Sequence, residues 1–336
     1  MNAIKDSISI KKISLSIDSL FRQNYQGSNA SDFGIQLPTP IENVLSMKIT
    51  AVEIPNFWYT FSSSHRSNEF IITTYNYIIK DIDNNPILIR SSVYPIVLPE
   101  GNYLNIDFVN LMNAYFLNIG GGLNYMVVEI DVNNGKTIFR ARHIIDDSLM
   151  PSPYDQSTPY YSSGFYFTMD FRLPDIERPV YRNMGWTLGY TKEFYLVTHE
   201  NSFSSNYIPN TLNTTNHVVT FNAFCRSESS YGSSINNYIF LDLADNNKNF
   251  TSDEIISCLP NSYLKGNNII ARITVNSSSN SINLTSAADA ISKTREFYGP
   301  VTISGFHVRL IDKFGEILQL NGNDFSFLIE FTTIHL

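Results

Sequence analysis
The chain has 336 residues, more than one compact domain usually needs, but within reach of a single all-β unit with an elaboration. Hydrophobic residues make up 43% and aromatics 13%, with 20 Tyr and 23 Phe, which excludes disorder of the whole chain. Only 16% is charged, below the usual ~25%. The 31 acidic and 23 basic residues give a net charge of -8, which opposes attraction to a phosphate backbone and sets nucleic acid aside as a partner.

The opening MNAIKDSISIKKISLSID alternates apolar with polar residues. It has neither the continuous apolar core nor the small-residue cleavage site of a secretory signal, so a cytosol-like compartment is expected. No apolar run approaches the ~20 residues of a membrane helix, and no membrane span is expected. Ile8, Ile10, Ile13, Leu15 and Ile17 predict an N-terminal arm or edge strand over residues 1–17, separated by a polar stretch from Gln23 to Ser31. Phe33, Ile35 and Leu37 alternate up to Pro38 and Pro40, and a second run extends from Val44 to Pro55. These predict two strands bounded by prolines that a central strand would not tolerate. After the aromatic cluster Phe57, Trp58, Tyr59 and Phe61, the β-branched run Phe70 to Ile79 predicts another hairpin.

Between Leu98 and Asn118 the period changes. Leu104, Phe108, Leu111, Met112 and Tyr115 fall at helical spacing, with Asn102 or Asn105 as a cap and Gly120 to Gly122 as the stop. YMVVEIDV and KTIFRAR flank Asn133-Asn134-Gly135, a strong hairpin signal. Residues 146–163, rich in Pro, Ser and Tyr, predict a loop, and Gly164 to Phe171 a strand. Residues 201–237 are dominated by Asn, Ser and Thr with one β-run at His217 to Phe224. Strands follow at Tyr238 to Leu243 and Asn268 to Val275. A closing meander is expected from VTISGFHVRLID, EILQL and DFSFLIEF. Many short strands, one helix and no βαβ alternation predict an all-β, antiparallel sandwich.

Chemistry-bearing patterns are sparse. The six histidines are scattered singly without metal-pair spacing, and His307 sits in a strand between Phe306 and Val308, which is an ordinary strand position. Cys225 and Cys258 are too few for a disulfide scaffold and lack zinc spacing; buried thiols are expected. No nucleophile elbow, Walker loop or dinucleotide fingerprint is present, and Gly120 to Gly122 follows a helix rather than preceding one. Asp242, Asp245, Asn246, Asn247 and Asn249 have the oxygens of a calcium site, but without its Gly and terminal Glu they read as a turn after a strand. Asp146-Asp147 reads as solvated charge. Five N-x-S/T sequons starting at Asn29, Asn213, Asn249, Asn276 and Asn283 follow from composition. The expectation is a non-enzyme with no catalytic, cofactor-binding or metal residues.

The ends of the chain carry a more specific signal. DFGIQLPTPIENVLSMKITAVEIPNFWYTFS with EFIITTY, and REFYGPVTISGFHVRLIDKFGEILQLNGNDFSFLIEF, resemble capsid-associated proteins of large icosahedral double-stranded DNA viruses. LPEGNYLNIDFVNLMN, NNGKTIF, MGWTLGY and YIFLDLADNN resemble that family's intermediate landmarks in the same order, so the resemblance spans most of residues 18–331.

The resemblance implies a jelly roll in which early strands lie beside late ones, with an insertion between strands. The domains expected are an arm at 1–17, a jelly roll from 18–85 and 201–336, and a mainly β insertion with one helix at 86–200. Phe325, Phe327, Ile329, Phe331, Leu310 and Leu318 are its expected core. The implied role is a penton subunit, a homopentamer at five-fold vertices contacting the major capsid protein and other minor capsid proteins. The implied location is the virion, with assembly in host cytoplasm. The alternatives are a minor capsid protein cementing capsomers, a carbohydrate-binding module using Trp58, Trp186 and the loop Tyr154 to Tyr166, and a glycan-processing enzyme suggested by fold analogy alone.

Overall fold
The computed structural model describes residues 9–77, 89–141, 166–173, 178–197, 203–205, 219–221, 224–232, 237–247, 250–252, 255–259, 262–265, 268–275, 281–286 and 291–335. The expected loop at 146–163, Asp146-Asp147, His143, His199, His217 and the sequons at Asn213, Asn249 and Asn276 lie outside the described residues. The chain divides into two units, Met1–Trp58 with Asn236–Leu336, and Tyr59–Ile235.

The first unit opens with β1 (Ser9–Asp18) and β2 (Asp32–Asn56). In the second unit β3 (Glu69–Tyr77) and β4 (Ile89–Val97) precede helix α1 (Asn105–Ile119), and β5 (Met126–Ile130), β6 (Lys136–Ala141) and β7 (Tyr166–Asp170) follow it. A short helix α2 (Met184–Thr187), β8 (Phe194–Val197), β9 (Phe203–Ser205), β10 (Val219–Phe221) and β11 (Phe224–Ser230) complete that unit. The chain then returns to the first unit with β12 (Tyr238–Ala244), β13 (Phe250–Ser252), β14 (Ile256–Leu259), β15 (Ser262–Lys265) and β16 (Ile269–Thr274). It closes with β17 (Ser281–Ser286), β18 (Ile291–Ser292), β19 (Arg295–Ile311) and β20 (Ser326–His335).

The first unit is an antiparallel sandwich of the jelly-roll type. Its main sheet runs β1-β20-β2-β19-β12-β16-β18, so the early strand β2 lies between the two latest strands of the chain. The first part of β2 pairs with β19 (Phe33 opposite Val308, Ile35 opposite Phe306), and the later part pairs with β20 (Met47 opposite Phe331, Ile49 opposite Ile329). One 25-residue strand thereby serves both layers of the curled sheet. Two strands broken at the prolines were expected here. Pro38 and Pro40 fall between Gln36, opposite Gly305, and Ile41, opposite Ile303; in this bulge no ladder bond needs their missing N–H.

Alternation decides what the layers bury. Ile13, Leu15 and Ile17 of β1, Phe327, Ile329 and Phe331 of β20, and Met47, Ile49 and Val52 of β2 form one inner face. Phe306, Val308 and Leu310 of β19 with Ile239, Leu241 and Leu243 of β12 line the other, and Phe306 stacks on Phe331 at 6.3 Å between centroids. Every expected core residue named above is buried. EILQL forms no strand: it makes a single bridge from Ile317 to Ile311 and turns Leu318 and Leu320 into the core. At Gly305 a β-carbon would lie 2.5 Å from the Ile35 carbonyl oxygen, so β19 crosses β2 there too closely for any side chain.

The second unit has its own core. The sheet β4-β3-β7-β8 and the sheet β11-β6-β5 enclose α1, whose Phe108, Met112 and Phe116 are buried with Phe70, Phe139 and Phe167. The helix period is as the spacing predicts, with its start corrected. Leu104 takes the N-cap position with no side-chain cap, while Asn102 accepts a bond from Thr60 N–H instead. Gly120 ends the helix at φ 76°, its N–H bonded to the Phe116 carbonyl. The Asn-Gly hairpin is present, its turn closed by Asp131, and α2 is a short helix that periodicity did not indicate.

The observed units differ from the expected domains at both crossings. Residues 69–77 pair with β4 and β7, and residues 224–230 pair with β6, so both belong with the second unit. The arm expected at 1–17 is, from Ser9 onward, an integral edge strand in unbroken ten-residue register with β20. Among the described residues no helix is long and apolar enough to cross a membrane.

Candidate assembly surfaces
Three arrangements are the places where chemistry or recognition would show. The first is the Asp242–Asn249 segment, weighed above as a calcium loop. Asp242 points from β12 and accepts two bonds from the Arg309 guanidinium, at 3.1 and 3.2 Å. Asp245 begins the following turn, where Asn246 takes φ 64° and Asp245 Oδ1 accepts from Asn247 N–H. Its other oxygen faces Arg295 Nη1 at 3.3 Å, with both side chains almost fully buried. Burial pulls the Arg295 guanidinium below its ordinary pKa, and Asp245 and Asp242 pull it part of the way back. Two arginines thus lie against these carboxylates, and from Asp242 to Asn247 the chain is a strand end and turn braced by ion pairs, while Asn249 lies outside the described residues. Among the described residues no three His, Cys, Asp or Glu side chains gather at metal-binding distance.

Other reactive groups are held quiet by their surroundings. Burial, followed by the Glu228 charge, pushes the Cys225 thiol up to about 12, far from the thiolate a nucleophile needs. His307 turns to the solvent side of β19 and meets Asp32 at 2.7 Å, while Phe306 and Val308 turn inward. Trp58 is a core residue at 6% exposure. Trp186, on α2, is 42% exposed with Tyr181 edge-on at 6.5 Å.

The second arrangement is a clasp at the end of β1. Asp18 caps the 3-10 turn Ser19–Phe21 by accepting from Leu20 N–H. Arg22 then reaches 302 residues along the sequence to Asp324, at 2.5 Å. Asp324 also accepts from Ser19 Oγ and Tyr25 OH, both at 2.8 Å, and Ser19 exchanges backbone and side-chain bonds with Phe325. Burial pushes the Asp324 carboxyl up, but the bonds from Ser19, Tyr25 and Arg22 outweigh it and hold the group below the usual carboxylate range. What this polar knot displays is apolar: Phe21 is 75% exposed and Leu20 49%. Asp324 opens the expected closing run DFSFLIEF and Arg22 precedes the polar stretch from Gln23 to Ser31; nothing local connects them.

The third arrangement is the outer face of the sheet β4-β3-β7-β8. Inward rows carry Phe70, Ile72, Ile96, Phe167, Met169 and Val197. The register puts Val93, Thr73, Thr168 and Leu196 in one outward row, with Pro95, Ile71, Asp170 and Phe194 in the next. Val93 is 63% exposed and Leu196 53%, and the Arg172 guanidinium, paired with Asp170, lies 5.2 Å from the Phe194 ring. An antiparallel sheet with one face in solvent ordinarily turns polar residues outward; here the outward rows mix Thr73 and Asp170 with the exposed apolar side chains of Val93, Leu196 and Phe194 on the two outer strands, which suits a surface meant to be covered. Val93, Pro95 and Val97 in alternation were the available sequence signal.

No family model matches this chain, and no curated protein matches it in sequence. Among solved structures, the chain is similar to a mavirus penton protein at 10% identity and a TM-score of 0.43, over 96% of this chain and 99% of that one. It is similar at 14% identity and a TM-score of 0.43 to a chain of the Sputnik virophage, over 96% of this chain and 98% of that one.

Proposed function
We propose that this chain is a structural subunit of an icosahedral virus capsid and, within the shell, the penton that closes five-fold vertices. The observation that carries the reading is the placement of β2 between β20 and β19, because these strands come from the two end stretches that resemble capsid-associated proteins. The exposed apolar side chains Val93, Leu196 and Phe194 of the second unit and the low charge suit a protein tiled against copies and companions. Its partners in this reading are copies of itself, the major capsid protein and other minor capsid proteins, and its place is the virion.

Native mass spectrometry and negative-stain imaging of the full chain test the penton reading, with five-membered rings expected. A reconstruction of purified particles is expected to place this chain at the vertices. Absence of the chain from particles would remove the capsid reading; density only between capsomers would replace the penton with a cementing role.

A further inference from the structure
β1 is the terminal strand of its sheet among the described residues, with β20 on one side only. An open edge is a template for another strand, and proteins usually blunt it with a proline, a bulge, a short span or charged side chains, of which β1 has only the last, Lys11 and Lys12 in its first half and Asp18 at its end. It has no proline or bulge and runs ten residues in unbroken register from Ser9 to Asp18. Its sequence from Lys12 to Asp18 is KISLSID, in which ISLSI reads the same in both directions and the flanking residues are of opposite charge.

An antiparallel strand pair related by a two-fold axis sets residue i against residue j and residue j against residue i. Laid on itself with Leu15 at the axis, β1 sets Ile13 against the second copy's Ile17, Ser14 against Ser16, and Lys12 against Asp18. All seven positions then meet a partner of the same or complementary chemistry, and the cross-strand charges are opposite. Faces agree as well, since Ile13, Leu15 and Ile17 turn to the core of each copy while Lys12, Ser14, Ser16 and Asp18 turn outward. Shifting the register by one residue would set the core face of one copy against the solvent face of the other, and shifting it by two keeps the faces but parts Lys12 from Asp18, so faces and charges together select this alignment. The same alignment brings Ile10, 69% exposed, toward the turn of the second copy that displays Leu20 and Phe21.

We infer that β1 is a self-recognition edge: two copies of this chain join β1 to β1 across a two-fold axis, forming one continuous sheet through both. Such a contact lies outside a five-fold ring and is independent of the penton reading. The test uses the full chain. Sedimentation of the wild type should show concentration-dependent pairing. Lys12→Asp or Asp18→Lys alone should weaken that pairing at least about tenfold by placing like charges opposite each other. The double variant K12D/D18K, which restores opposite charges, should recover it. Oxidation of Leu15→Cys should give a covalent dimer, whereas Ile13→Cys and Ile17→Cys, which face different residues, should not; wild type serves as the control for the native cysteines. S14K/S16K adds only outward lysines to each monomer, so circular dichroism should be unchanged while pairing is lost. Pairing that survives S14K/S16K, or cross-linking equally efficient at 13, 15 and 17, would overturn the inference. So would five-membered rings or monomers that never associate through this edge.

Discussion
Arg295 and Asp245 face each other with 2% and 1% of their side chains exposed, where neither charge can be solvated by water. Removing one partner of a buried pair typically costs about 3–5 kcal/mol, because the other is left uncompensated, while replacing both with apolar groups is often near neutral. Arg295→Met is therefore expected to destabilise the first unit by about that amount, and R295M/D245L by much less, as read by denaturant unfolding of the two variants and the wild type. Asp324 gives a pH dependence of determined sign. Its folded pKa lies below its unfolded value of about 3.9, so its stabilisation is complete above that value and is lost as pH falls through the folded one. Unfolding midpoints measured between about pH 2 and 5 should fall less steeply for Asp324→Asn than for wild type.

Among the elements, β1 realises the second of the two readings its sequence left open, the edge strand rather than the arm. Alternation identified the strand, but its pairing with β20 depends on residues more than 300 positions away, so nothing local could distinguish a free arm from an edge strand. Because Ile17 is buried and Ile13 and Leu15 pack against the core, deletion of residues 1–17 should cost stability rather than assembly alone. Burial of one such side chain contributes about 1.5–3 kcal/mol, so the first unit's thermal midpoint should drop by at least about 3 °C, measured by circular dichroism. Helix α1 was legible because its period is local, whereas its cap was not, since Asn102 is drawn to Thr60. The β2 prolines misled for a similar reason: a proline limits a strand only where a ladder bond is required, and β2 itself bulges at them.

For the whole molecule, two separate hydrophobic clusters imply two cooperative units. Calorimetry should resolve two transitions. Ile329→Ala should lower one by about 2–5 kcal/mol and Phe139→Ala the other by about 3–5 kcal/mol, with little cross-effect. A single transition displaced by both variants would contradict this division. What the amino-acid sequence determined by itself was the all-β class, the helix, the Asn-Gly hairpin and the inward rows of the closing strands, because each follows from a period of two or 3.6 residues or from turn chemistry within a few positions. Only the tertiary structure decided which strands are neighbours, where one unit gives way to the other, that Arg22 closes on Asp324, and that Arg295 and Arg309 occupy the acidic turn. Those outcomes rest on contacts between residues far apart in the chain, and their partners are selected by the burial of whole faces rather than by any local pattern.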